Sequence, residues 1–181
     1  MSKILLCVTG SISCYKAAEL ASLLTKNGNE VKVAATEDAL RFVGKATFEG
    51  LVKNKLYTDL WSNDEDSIAH ITLGQKWPDA IIVYPASADT INKFAAGIAD
   101  NLLGAIFLAN NFSKPFAIAP AMNSNMLLHP ATQRSLKTLK EWGAKILEGK
   151  SGHLACGDDG VGRLAEPAEA YEFLKGILGE K

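Results

Sequence analysis

Lys3-Ile4-Leu5-Leu6-Cys7-Val8-Thr9-Gly10-Ser11-Ile12-Ser13 opens the chain and decides how the rest is read. Ile4 to Val8 is a continuous apolar run without alternation, the pattern of a strand buried on both faces in a parallel sheet covered by helices. Gly10 ends the run. Beyond it Ala17, Leu20, Ala21 and Leu24 recur at helical spacing, and Asn27-Gly28 supplies the stop. A strand, a Gly-Ser turn and a helix make a first βα unit.

The alternation continues along the chain. Glu30 to Ala35 reads as a second strand, and Asp38 to Lys53 as a helical region in two pieces, with Gly44 and Gly50 inside it. Asp79 to Tyr84 is a third strand, ended by Pro85, and Pro115 to Ala119 a fourth, ended by Pro120. Helices are predicted over Thr90 to Ala99, Leu102 to Ala109, Thr132 to Trp142 and Ala168 to Leu178, with a short fifth strand at Lys145 to Leu147. Right-handed βαβ crossovers then give an α/β fold, expected as one domain over residues 1–181 with a parallel sheet and helices on both faces. The polar Thr58 to Asp66 stretch reads as a surface loop. The Gly-rich stretch over 148–167 is long enough to be a functional or mobile loop.

The chain has 181 residues, which suits one domain with a full core. Its 19 basic and 20 acidic residues give a net charge of -1, so neither nucleic acid nor an anionic membrane is an expected partner. No apolar run is long enough to span a bilayer, and Ile4 to Val8 is too short for a secretory signal. The three cysteines contain no Cys-x-x-Cys pair, which argues against a disulfide framework or a zinc knuckle. A cytoplasmic location is expected, and no metal.

In such sheets ligands bind beyond the carboxyl ends of the strands, where Gly10-Ser11, Thr36, Pro85 to Thr90 and Pro120 to Asn123 all fall. Ser11 and Ser13 can hold a phosphate with the N–H groups of the helix start, or simply cap a plain turn. The turn lacks Gly-x-Gly-x-x-Gly and the Walker pattern, which weakens NAD and P-loop ATP as ligands. Small residues in Pro85-Ala86-Ser87-Ala88-Asp89-Thr90 let a flat ring or a phosphate approach the backbone, with hydroxyls from Ser87 and Thr90. Asp89 reads equally as a helix cap.

Three side chains carry the chemistry. His70, in Ala-His-Ile, is either a structural imidazole or a proton carrier near neutral pH. Asn123, in Pro120-Ala121-Met122-Asn123-Ser124-Asn125-Met126, can orient a carboxylate without charge or cap a helix, and Met122 and Met126 can pack on a flat cofactor. Cys156, in Ala-Cys-Gly-Asp-Asp-Gly-Val-Gly-Arg, is a thiol in a polar loop, whereas free cysteines are usually buried; it suits proton donation from a closing loop. Cys7 and Cys14 read as packing, His129 as ordinary and His153 as ambiguous.

The Gly10-Ser11-Ile12-Ser13, Pro85 to Thr90, Pro120 to Met126 and Ala155-Cys156-Gly157-Asp158 segments resemble those of the homo-oligomeric flavin-containing cysteine decarboxylases, over nearly the whole chain. The last two segments are the specific ones. The resemblance implies a single Rossmann-like flavoprotein domain binding FMN non-covalently, trimers often assembled into dodecamers, and a flavin near a subunit interface. It implies a catalytic trio of His70 for the oxidation step, Asn123 for the substrate carboxylate and Cys156 on a mobile clamp. Gly10, Ser11, Ser13, Thr36, Ser87, Ala88, Thr90 and Met122 would line the flavin site. The implied activity converts 4'-phosphopantothenoylcysteine to 4'-phosphopantetheine in coenzyme A biosynthesis. A phosphopantothenoylcysteine synthetase is expected as a separate or fused partner, since the chain is too short to include one.

Two positions depart from the family pattern: Asp89 stands where asparagine is common, and Leu127 where tryptophan often follows the asparagine motif. Three other activities share the scaffold. They are a peptidyl-cysteine decarboxylase that stops at the oxidised enethiol, a flavin prenyltransferase, and a non-catalytic FMN-binding regulator. Cys156 argues against the first, the asparagine motif against the second, and the presence of all three reactive residues against the third.

Overall fold

The computed structural model describes residues 1–61, 68–153 and 159–179. Six parallel strands form one sheet: β1 (Lys3–Val8), β2 (Glu30–Ala35), β3 (Leu56–Tyr57), β4 (Ala80–Ala86), β5 (Phe116–Pro120) and β6 (Lys145–Ile146). Their order across the sheet is β3-β2-β1-β4-β5-β6, so the chain reverses its direction of travel between β1 and β4. This is the Rossmann order, and the reversal opens a crevice at the carboxyl ends of those two strands.

The unbroken apolar run of β1 has the predicted cause. Ile4, Leu6 and Val8 pack into one layer with α1 (Cys14–Lys26), α3 (Lys45–Val52) and α9 (Pro167–Leu178). Leu5 and Cys7 point into the other layer, with α5 (Ala88–Ala95) and α6 (Leu102–Asn110). In that second layer Phe94, Phe107 and Phe116 stack and meet edge to face at centroid distances of 4.4 to 6.0 Å, each pair adding about 0.5–1.5 kcal/mol beyond area burial. α8 (Pro130–Trp142) packs beside α5 and ends at Gly143, whose φ of 119° is the left-handed geometry that glycine tolerates. Among the described residues no helix is long and apolar enough to cross a membrane.

Several elements differ from the sequence expectation. Leu56–Tyr57 adds an edge strand too short to show a period. Pro85 does not end its strand but lies within β4, at a register irregularity between Val83 and Ala86. Proline is tolerated there because the ladder is already interrupted. The helix expected over Thr90 to Ala99 starts two residues earlier and stops at Ala95, with Gly97 in a left-handed turn. His70 lies in α4 (Ala69–Ile71), which runs into a π-helical turn over Thr72–Lys76. Asn123 precedes a short helix, α7 (Ser124–Leu128). In the Gly-rich stretch, β7 (Gly152–His153) pairs antiparallel with β8 (Asp159–Gly160), and Cys156 lies outside the described residues.

Candidate active site

The site is built where β1 and β4 diverge. Thr9, 1% exposed, ties the two strand ends together: its Oγ1 donates to the Pro85 carbonyl at 2.8 Å and accepts from the Ser87 N–H at 2.8 Å. Gly10 follows with no room for a side chain, since a Cβ there would lie 2.8 Å from Asp38 Cβ. Ser11 Oγ accepts from the Ser13 N–H at 3.1 Å, shaping the turn into α1. Cys14, first in α1, is buried with its Sγ donating to the Thr9 carbonyl at 3.2 Å, and burial pushes its thiol pKa up. It therefore stays protonated and serves packing.

Two other segments close on the same place. Thr36 caps α2 (Glu37–Leu40), its Oγ1 accepting from the Ala39 N–H at 3.3 Å. Ser87, rather than Asp89, caps α5: its Oγ accepts from the Thr90 N–H at 3.3 Å and donates to Thr90 Oγ1 at 3.2 Å. Asp89 instead pairs with Lys93 at 3.2 Å, and Lys93 also reaches Asp100 at 3.0 Å. Led by the Asp100 hydrogen bond, these contacts raise the Lys93 pKa and keep it a cation on the cleft wall.

Two clefts result, joined at Gly10 and Ser87. The first, about 950 Å³, is lined by Thr36, Thr90, Phe42, Trp61, Lys93 and Leu103 among others. The second, about 680 Å³, takes in Ser11, Ser13, Ala88, Met122, Asn123 and Arg163. Both volumes lie in the range of small-molecule sites. Asn123 Oδ1 accepts from the Asn125 N–H at 2.9 Å, so the helix-capping reading of this residue is correct, and it also lines the cleft. Its loop is fastened to the end of the Gly-rich stretch: the Met122 N–H donates to the Gly162 carbonyl at 3.0 Å, and Ser124 Oγ donates to the Val161 carbonyl at 2.7 Å.

All eight residues expected at the flavin, Gly10, Ser11, Ser13, Thr36, Ser87, Ala88, Thr90 and Met122, line one or both clefts, and Asn123 stands with them. His70 is half-buried and lines neither cleft of its own chain. Small residues at Gly10, Ala88 and Ala121 leave bare backbone on the walls, and hydroxyls cluster at the joint, a combination that fits a flat ring carrying a polar, phosphorylated tail. Among the described residues no group of His, Cys, Asp and Glu could hold a metal.

Sequence reasoning missed Thr9, and it missed Lys16. Lys16 is 7% exposed and bonds Glu166 Oε1 at 2.8 Å, while Arg163 reaches the same oxygen at 2.6 Å. The Lys16 hydrogen bond leads in holding the Glu166 carboxyl below the usual glutamate range, against its partial desolvation. The available signal was a lysine beside Ala17 and Leu20 on the apolar face of α1, which requires a buried counter-charge.

Comparison with known proteins agrees with this geometry. Residues 1–179 match the Flavoprotein family. The Coenzyme A biosynthesis bifunctional protein CoaBC of Bacillus subtilis (strain 168) is 46% identical over 179 residues, which is 98% of this chain and 43% of the relative. The chain thus spans about two fifths of the length of that relative. Among solved structures, a PPC decarboxylase mutant complexed with pantothenoylaminoethenethiol superposes with a TM-score of 0.89 at 34% identity, covering 99% of each chain. The FMN binding protein AtHal3 superposes with a TM-score of 0.84 at 36% identity, covering 96% of this chain and 95% of its own. With two joined clefts at the carboxyl edge of the sheet and a family match over residues 1–179, the chain belongs to the Flavoprotein family, and its likeness within that family runs to the cysteine decarboxylases.

Proposed function

We propose that this chain decarboxylates 4'-phosphopantothenoylcysteine to 4'-phosphopantetheine, with FMN as its flavin, as a step of coenzyme A biosynthesis. The observation that carries the reading is the placement of Asn123 and Met122 in a cleft joined, at Gly10 and Ser87, to the hydroxyl-lined end of α5. A carboxylate-orienting amide and a flavin-binding wall then share one site. The likeness to a solved PPC decarboxylase bound to an enethiol supports the substrate class.

The chemistry needs a redox cofactor for a stated reason. Direct loss of CO2 from the cysteine carboxyl leaves a carbanion with no electron sink. A thioaldehyde at the thiol-bearing carbon supplies that sink, as the ketone does in a β-keto acid. Bound FMN would supply two-electron chemistry, accepting electrons from that carbon and returning them after CO2 has left.

Gly10, Ser11, Ser13, Ser87 and Thr90 would hold the phosphorylated tail, and Ala88 and Met122 the ring. Asn123 binds the substrate carboxylate through its amide and brings no positive charge to it, so departure as neutral CO2 is not opposed. His70 removes the thiol proton. Cys156 returns a proton to carbon in the reductive step. Because His70 lines neither cleft of its own chain, it serves a neighbouring copy's site in a homo-oligomer, a trimer or a dodecamer built of trimers. A phosphopantothenoylcysteine synthetase, fused or separate, supplies the substrate in a reducing cytoplasm.

The test is incubation of the FMN-loaded protein with 4'-phosphopantothenoylcysteine, with products read by mass. Net loss of CO2 alone supports the reading. Loss of CO2 together with two hydrogens identifies an oxidative cysteine decarboxylase, and FMN binding without turnover identifies a binding protein or a prenyltransferase. Cys156→Ser is expected to release CO2 but stop at the dehydrogenated product, whereas His70→Gln should block the oxidation that precedes CO2 loss, down to a residual rate.

A further inference from the structure

The segment that carries His70 is clamped to α6 by contacts that none of the flavin-site residues share. After α4 the backbone widens into a π-helical turn, in which the Trp77 N–H reaches back to the Thr72 carbonyl at 2.9 Å. Such turns are rare, and they misalign the local carbonyls relative to an α-helix. The Gly74 carbonyl within the turn is taken by Asn110, whose Nδ2 donates to it at 2.8 Å in a buried contact. Gly74 itself touches α6 backbone: a Cβ there would stand 2.9 Å from the Ile106 carbonyl oxygen and 3.3 Å from the Asn110 nitrogen. Gln75 caps α6 in return, donating to the Ala109 carbonyl.

Asn110 is an unusual residue for this task. It is the last residue of α6 and 1% exposed, and its Oδ1 is buried with no hydrogen-bond partner among the described residues. A leucine there would avoid that orphaned acceptor but would leave the buried Gly74 carbonyl without this donor. What the amide does provide is one directed bond to the turn four residues beyond His70.

We propose that Asn110 is a positioning residue for His70: its amide, with the bare backbone of Gly74, latches the π-helical turn to α6 and so fixes where the His70 imidazole is presented. The inference rests on His70 acting as the proton acceptor for the substrate thiol. Its logic is geometric. The imidazole is on a one-turn helix too short to hold its own orientation. Its direction is therefore set by whatever anchors the following turn, and a displacement of about an ångström at a reacting group costs up to about a hundredfold in rate.

The experiment uses the FMN-loaded protein. Asn110→Leu removes the donor, and the melting temperature is expected to fall by a few degrees because the buried Gly74 carbonyl loses its partner. Amide hydrogen exchange over residues 72–77 should quicken. The kcat for CO2 release should fall by about ten- to a hundredfold with KM unchanged. In a His70→Gln background the same substitution should add no further loss. Asn110→Ala is the second variant should the first not fold: it removes the donor without adding bulk, with the same expected pattern. Parent-like turnover and exchange in the Asn110 variants, with His70→Gln impaired, overturns the latch alone. Multiplying losses in the double variant also overturn it, since Asn110 would then act on another group. Parent-like turnover in His70→Gln overturns the role of His70 and the latch with it.

Discussion

Replacing Thr9 by valine tests the idea that the cofactor crevice is held open by one hydroxyl. The two side chains have nearly the same shape, so the change removes only the Oγ1–H, which donates to the Pro85 carbonyl and accepts from the Ser87 N–H, both at 2.8 Å. The Pro85 carbonyl keeps the Thr9 N–H at 3.2 Å, so it is not orphaned. The Ser87 N–H loses its partner. One lost hydrogen bond at about 1 kcal/mol and one under-satisfied, partly buried donor at about 1–2 kcal/mol sum to about 2–3 kcal/mol. For a domain of this size that lowers the melting temperature by roughly 4–12 °C. Thr9→Ser keeps the hydroxyl and loses one methyl, at about 1 kcal/mol. The assay is thermal unfolding of both variants with flavin content measured alongside, because Ser87 joins the two clefts. If Thr9→Val melts with the parent, or no lower than Thr9→Ser, the reasoning is refuted.

Two further outcomes follow from the second cleft. Gly162→Ala should cut turnover by about tenfold or more while flavin stays bound, because the position has a φ of 104° and a Cβ would fall 2.2 Å from the Met122 carbonyl that precedes Asn123; parent-like kcat would exclude a role for this contact. The lowered Glu166 pKa implies stability that is complete above the unfolded-state value, about 4.3, and lost as pH falls through the lower folded value. The melting temperature of Glu166→Gln should therefore lie below the parent at neutral pH and converge on it below about pH 4, a comparison that unfolding scans across that range will decide.

Much of the fold was legible because its signals are local. The continuous apolar run of Ile4 to Val8 reports burial on both faces, and Asn27-Gly28 and Gly143 report helix ends through their own backbone preferences. The turn residues at strand ends were legible for the same reason: Gly10, Thr36 and Ser87 each do a job defined within a few residues. Leu56–Tyr57 was not, since two residues hold no period, and neither was the π-helical turn, which depends on what α6 presents to it.

The sequence by itself determined the order of strands and helices, the parallel sheet, and the residue types gathered at the carboxyl edge. Hydrophobic period and turn chemistry act over a few residues and need no partner. Only the tertiary structure decided which distant groups meet. It set Thr9 against Ser87 across 78 positions, Lys16 against Glu166 across 150, and Asn110 against Gly74 across 36. It also left His70 out of the lining of the two clefts that take in Gly10, Thr36, Ser87 and Asn123. Such pairings arise from the crossovers that return the chain to β1 and to α6, and a hydrogen bond between residues far apart in sequence leaves no periodic trace in either of them.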